Sequence, residues 1–190
     1  MDRTKIFVAV ALLTAMVCIT GTSGGGSKRN YQLLASRLDE MRTDETYIKL
    51  TKLKVARVNK TLSLFKGKLE FVQDFPQDAT CAVKGYQNVG GGKYAKGPVD
   101  IQPTNCCEFF ASDTIVWPPL RDALGFPMKC PFKKGIYELK GFDINQCNLP
   151  DTLPPPNDWM MEVTLTMKDK EILHLKGYAE IKRSGLPMGR

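Results

Sequence analysis

From Tyr47 onward, apolar and polar side chains alternate with a period of two. "YIKLTKLKVARV" sets Leu50 apart from Lys49 and Val55 apart from Lys54. In "TLSLFKGKLEFVQDF", Phe65, Leu69 and Phe71 fall on one face and Lys66, Lys68 and Glu70 on the other, with Gly67 marking a bulge or bend. "TCAVKGYQNV" and "KYAKGPVDI" read as shorter strands joined at Gly90-Gly91-Gly92, and "GIYELKGFDI" as another. "DWMMEVTLTM" and "EILHLKGYAEI" form the clearest pair. Trp159, Met161, Val163, Leu165 and Met167 share one face, Leu173, Leu175, Ala179 and Ile181 alternate opposite, and "KDKE" reads as the hairpin between them. Seven short strands with little helix predict an all-β fold, an antiparallel sandwich or barrel.

Two segments depart from that period. Tyr31, Leu34, Leu38 and Met41 recur at helical spacing behind Asn30 as a cap, which predicts one short amphipathic helix over 31–41. Residues 105–128 do not alternate either. They crowd Phe109, Phe110, Ile115, Val116, Trp117, Leu120, Leu124 and Phe126 around Pro118-Pro119. "PLRDALG" predicts a helical piece near 119–125, with Pro119 in its first turn and Gly125 closing it. An apolar, partly helical excursion between strands either covers an open end of the core or lines a cavity there.

The first residues change the picture of where the fold starts. Arg3 and Lys5 precede the apolar run Ile6–Ile19, and the small, turn-prone "TGTSGG" follows. That is the plan of a secretory signal peptide, too short to span a bilayer, with cleavage expected after Ser23. Of 190 residues, 167 then remain, enough for one domain with its own core. The 27 basic and 20 acidic side chains become 25 and 19, a net charge of +6. Basicity in a secreted chain points to anionic membrane surfaces, acidic glycans or solubility. Nucleic acid is not expected, because the cations are dispersed and not interleaved with aromatics.

Export also sets the state of the cysteines. Cys18 leaves with the signal. Cys81, Cys106, Cys107, Cys130 and Cys147 meet an oxidising route, and five is odd. Zinc fails on spacing, since there is no C-x-x-C pair and His174 is the one histidine. That single histidine, placed by alternation at the surface, also removes most Ser-His and Cys-His schemes. No phosphate loop, nucleophile elbow or metal motif is present. Asp39-Glu40 and Asp44-Glu45 lie in polar segments and read as solvated charges. No enzyme activity, metal or cofactor is therefore expected. Asn59-Lys60-Thr61 is a glycosylation sequon at a strand junction.

Cys107 to Leu139 carries a resemblance. Its Cys107, Pro119, Leu120, Arg121, Gly125, Pro127, Cys130, Pro131, Phe132, Lys133, Gly135, Tyr137 and Leu139 resemble the ganglioside-activator branch of the ML (lipid-recognition) superfamily. "LPDTLPPPNDW" is similar to that family's Leu-Pro segment before the next-to-last strand. The arrangement also resembles secreted arthropod ML-like proteins. Cys81, Cys106 and Cys147 lack clear counterparts, the linker after the first cysteine differs, and the N-terminal amphipathic segment is extra. The resemblance implies an antiparallel β-cup that binds lipids and presents them to enzymes or receptors without catalysis. It also implies a Cys107–Cys130 disulfide clamping the irregular apolar segment. For the remaining cysteines, the expectation is Cys81 with Cys147, leaving Cys106 free.

The resulting expectation is a secreted or endolysosomal-lumen carrier of a lipid or other hydrophobic ligand. The organisation is a signal peptide (1–23), a leader with a short helix (24–44), an ML-like β-cup (45–185) and a tail (186–190). Phe65, Leu69, Phe71, Trp159, Met161 and Val163 would line the cup. Phe109, Phe110, Trp117 and Phe126 would form its rim, with Lys129, Lys133 and Lys134 beside it. Partners would be the apolar ligand, an anionic membrane surface, and a receptor or enzyme that accepts the lipid. The alternative is a secreted signalling or interaction protein with a filled core, which the dibasic Lys28-Arg29 and the odd cysteine fit loosely.

Overall fold

The structure, a computed structural model, describes residues 29–112, 117–127, 129–146, 153, 155 and 157–183. The expected signal peptide and tail, Ile115, Val116 and Cys147 lie outside these residues.

Eight antiparallel strands form two sheets. They are β1 (Tyr31–Thr43), β2 (Ile48–Arg57), β3 (Ser63–Phe71), β4 (Thr80–Gly90), β5 (Lys93–Asn105), β6 (Gly135–Phe142), β7 (Asp158–Met167) and β8 (Lys170–Arg183). One sheet has the order β1-β8-β7-β4-β5 and the other β2-β3-β6. Helices α1 (Cys106–Ser112) and α2 (Trp117–Leu124) lie on the connection from β5 to β6. That connection joins an edge strand of one sheet to an edge strand of the other. The sandwich and the seven strands from Tyr47 onward are as the alternation predicts.

The expected helix over 31–41 is instead β1, paired along its length with β8. Its register slips between Ala35 and Arg37 and again between Asp39 and Arg42. Each slip inserts an extra residue and moves the following side chains to the other face. Tyr31, Leu34, Leu38 and Met41 thus acquire helix-like spacing in a bulged strand. The compact domain accordingly begins at β1, and the boundary drawn at residue 45 moves to the start of that strand.

Turn chemistry follows the sequence closely. Lys168 and Asp169 both take left-handed backbone, with φ of 47° and 63°, in the two-residue turn between β7 and β8. Gly67 stands where both neighbours of β3 slip register. Its φ is 150°, and a Cβ there would sit 2.5 Å from the Leu53 Cα. Any side chain at 67 would push β2 off β3.

The buried residues gather at the two ends of the sandwich. One cluster holds Tyr31, Leu33, Leu139, Phe142, Ile144, Leu153, Trp159 and Ile181 among others. The other holds Ile48, Phe71, Phe75, Cys81, Cys106, Trp117, Phe126, Phe132, Leu165 and Ile172. Leu120 and Leu124 of α2 pack against both. Among the described residues, no helix is long and apolar enough to cross a membrane.

Candidate functional site

The strands' inward faces define the candidate site. In the five-stranded sheet, Cys81, Val83 and Gly85 of β4 stand opposite Leu165, Val163 and Met161 of β7, which stand opposite Leu173, Leu175 and Gly177 of β8. In the other sheet, Leu50 and Val55 of β2 face Leu69 and Phe65 of β3. A filled sandwich would bury all of these. Met161, Val163, Leu175 and Leu69 are only half-buried, although each lies on a strand with a hydrogen-bonded neighbour on both sides. With Phe65, Leu50 and Val55 they form an apolar belt across the middle of the sandwich that is less fully buried than the clusters at its two ends.

Small residues widen this belt. Gly177 lies opposite Met161, and a Cβ built there would meet only Leu38, at 3.5 Å. The hollow at Gly85, by contrast, is already filled, since a Cβ there would lie 2.6 Å from the Val99 Cβ. Phe65 and Met161 pack half-buried against the cluster around Trp159, and Leu50 and Leu69 against the cluster around Phe71. Half-buried Leu120 and Leu124, on the helix beside β6, pack between the two clusters.

The irregular segment is held beside the belt by covalent and polar ties. Cys107 and Cys130 form a disulfide with Cα atoms 5.5 Å apart. Asn105 caps α1, its Oδ1 accepting from the Cys107 and Glu108 N–H groups at 2.9 and 3.1 Å. After the disulfide the Cys130–Pro131 peptide is cis. Asp74 then accepts from Lys133 Nζ at 2.8 Å and from the Lys134 N–H at 2.9 Å, while the Phe75 N–H donates to the Phe132 carbonyl at 2.8 Å. The Lys133 ammonium holds the Asp74 carboxyl below its ordinary range. Lys133 is thus engaged in fixing this loop.

The predicted ligand residues separate into three groups. Phe65, Leu69, Met161 and Val163 meet in the belt. Trp159 is buried in one end cluster. Phe71, Phe109, Phe110, Trp117 and Phe126 belong to the other, where the rim reading of Trp117 and Phe126 is corrected. Trp117 is 8% exposed, with its ring centroid 4.2 Å from Phe110, 5.1 Å from Phe132 and 5.4 Å from Phe126. Phe71 stacks on Phe126 and Phe132 at 5.7 and 6.2 Å. These aromatics stack on one another because the segment crosses the sandwich end, where only they can fill the gap. Phe109 and Phe110 stay half-buried on α1. Leu50, Leu120, Leu124 and Leu175 are belt residues that were not singled out, although Leu175 falls in the alternating run of β8.

Four further residues differ from, or refine, expectation. Cys81 and Cys106 are both free, buried thiols, so the expected Cys81–Cys147 bond is not formed at Cys81. Its hydrogen bond with Cys81, and then burial, push the Cys106 thiol far above its ordinary value. His174 is 6% exposed rather than at the surface, its Nε2 3.4 Å from Glu162 and 3.6 Å from Glu40, on the outward side of the sheet. The bulge in β1 folds Glu40 over it. Asn59 is exposed in the turn between β2 and β3, its Oδ1 accepting from the Thr61 N–H at 2.8 Å and from the Thr61 hydroxyl at 3.0 Å.

A family model described as a protein of unknown function, DUF1091, matches residues 82–161. The match runs from β4 through both helices and the disulfide into β7, less than half of the chain. No curated protein matches the chain.

Proposed function

We propose that the chain is a secreted, non-catalytic carrier that holds a lipid or other apolar ligand in the belt between its sheets. The observation that carries this reading is the incomplete burial of Leu69, Met161, Val163 and Leu175 on the inward sides of interior strands. Apolar surface held open inside a fold costs stability unless something fills it, and an extended acyl chain matches an elongated apolar space. The Cys107–Cys130 bond agrees with the resemblance of Cys107–Leu139 to the ganglioside-activator branch of the ML superfamily. The apolar run at residues 6–19 supports export, and the exposed Asn59 suits a glycan. Delivery would be to a membrane, a receptor or an enzyme that accepts the lipid.

Native mass spectrometry of the secreted protein, followed by organic extraction, tests the reading. A bound lipid mass is expected, and Val163→Phe, which adds bulk inside the belt, should abolish it while the far-ultraviolet spectrum stays that of a β-protein. A chain that purifies empty and displaces no fluorescent fatty acid would instead be the interaction protein with a filled core.

A further inference from the structure

The outward faces of the two sheets differ in charge. On the five-stranded sheet, three cations are neutralised locally: Lys176 with Glu40 at 2.9 Å, Lys96 with Asp100 at 2.7 Å, and Arg42 with Glu171 at 3.3 Å. The three-stranded sheet carries Lys49 and Lys54 on β2, Lys66 and Lys68 on β3, and Lys140 on β6, with Lys52 in the β2 bulge beside them. Glu70 and Glu138 share that face, so six positive charges meet two negative ones. None of the six lysines is ion-paired among the described residues. Lys54 and Lys66 even stand directly opposite each other, an arrangement that destabilises a sheet. The face also carries Ile136, 65% exposed.

We propose that this face docks on an anionic lipid bilayer. Three adjacent strands make a surface about 10 Å wide, and the six lysines are spread over all three rather than strung along one line. Its cations are lysines, point charges that answer to a diffuse surface potential rather than forks that grip individual phosphate or sulfate groups. No aromatic lies on it for nucleobases to stack on. A charged bilayer satisfies all six ammonium groups together, relieves the Lys54–Lys66 repulsion, and gives Ile136 an apolar layer to enter. The inference concerns the outside of the sheet and does not require a ligand in the belt, so a chain that purifies empty can still dock.

The test is flotation of the full chain with phosphatidylcholine vesicles, with and without about 30 mol % phosphatidylserine. Wild type should bind only the anionic vesicles, and binding should fall steeply as salt is raised. Lys54→Gln/Lys66→Gln/Lys68→Gln should lower the partition coefficient about 100-fold, about fivefold per lysine. Lys84→Gln/Lys93→Gln/Lys168→Gln removes the same charge elsewhere and should change it no more than about threefold. Circular dichroism of both triples should match wild type. Equal losses in the two triples, or failure of wild type to bind anionic vesicles, would overturn the proposal. So would retention on heparin without vesicle binding, which would assign the face to a sulfated glycan.

Discussion

The aromatic end of the sandwich and its apolar belt are built from similar residues in opposite states. At the end, Phe132 is 1% exposed and touches rings from β3, α1 and the segment after α2, so each aromatic fills the gap left by another. In the belt, Leu69, Met161 and Val163 face inward from well-paired strands and are only partly buried. Density of large apolar residues in the sequence marks the part of the molecule that closes. Sparse medium-sized residues and a glycine at 177 mark the part that stays open. The proposed ligand is thus to be sought at the inward positions that are not fully buried, rather than where the aromatics are.

The comparison breaks most visibly at Trp117. Trp117→Ala removes a ring stacked between Phe110 and Phe126 and should cost about 3–5 kcal/mol. Urea unfolding measures this, and a loss under 1 kcal/mol would return Trp117 to a rim. Next comes the clamp. Cys107→Ser/Cys130→Ser frees a segment of 23 residues and should cost about 3 kcal/mol, read as a lower melting temperature under non-reducing conditions. Non-reducing peptide mapping should also link Cys107, and not its neighbour Cys106, to Cys130.

Leu69→Ala sharpens the contrast from the other side. Its side chain already lacks full packing, so the stability cost should be about 1 kcal/mol, below the 2–5 kcal/mol typical of a closed core. Displacement of a fluorescent fatty acid should nevertheless weaken several-fold. A cost as large as that of Trp117→Ala would mean that the belt is closed.

The smallest effect concerns the turn between β1 and β2 at the aromatic end. Lys170, at 2.6 Å, and the Thr46 hydroxyl and N–H hold the Asp44 carboxyl down to about 2. A depressed carboxyl contributes stability above its unfolded value of about 4, and that contribution fades as pH falls through about 2. The melting-temperature gap between wild type and Asp44→Asn should stay level from pH 7 to about 4 and close towards pH 2. A gap that persists unchanged at pH 2 would show that Asp44 acts through geometry alone.

Much of this fold is legible in the sequence, because alternation in β2 to β8 reports which side of each strand meets the other sheet. Lys66, Lys68 and Glu70 against Phe65, Leu69 and Phe71 already state both faces of β3. β1 was illegible for a definite reason. Its two bulges shift the period, and nothing in Tyr31–Met41 distinguishes a bulged strand from a helix without its partner β8. The candidate site was half legible. Alternation identifies Leu69, Met161 and Val163 as inward, but whether an inward residue is covered depends on how far apart the sheets stand. That spacing is set by distant choices such as Gly177 and the positions of Leu120 and Leu124. The carboxylates around His174 likewise converge from β1 and from the β7–β8 hairpin, which lie far apart in the chain.

One side chain near the start of β1 has a consequence for solubility. Asn145 donates from Nδ2 to the Leu33 carbonyl at 2.7 Å and accepts at Oδ1 from the Leu33 N–H at 2.7 Å. Its amide thereby occupies the hydrogen bonds that a ninth strand would use at that point. β1 is a long outer strand, and an outer strand with free backbone groups invites another copy to add on. The Asn145 amide occupies one stretch of that edge and the two bulges make the rest uneven. That stretch of β1 is therefore not offered to a second copy for edge-to-edge growth.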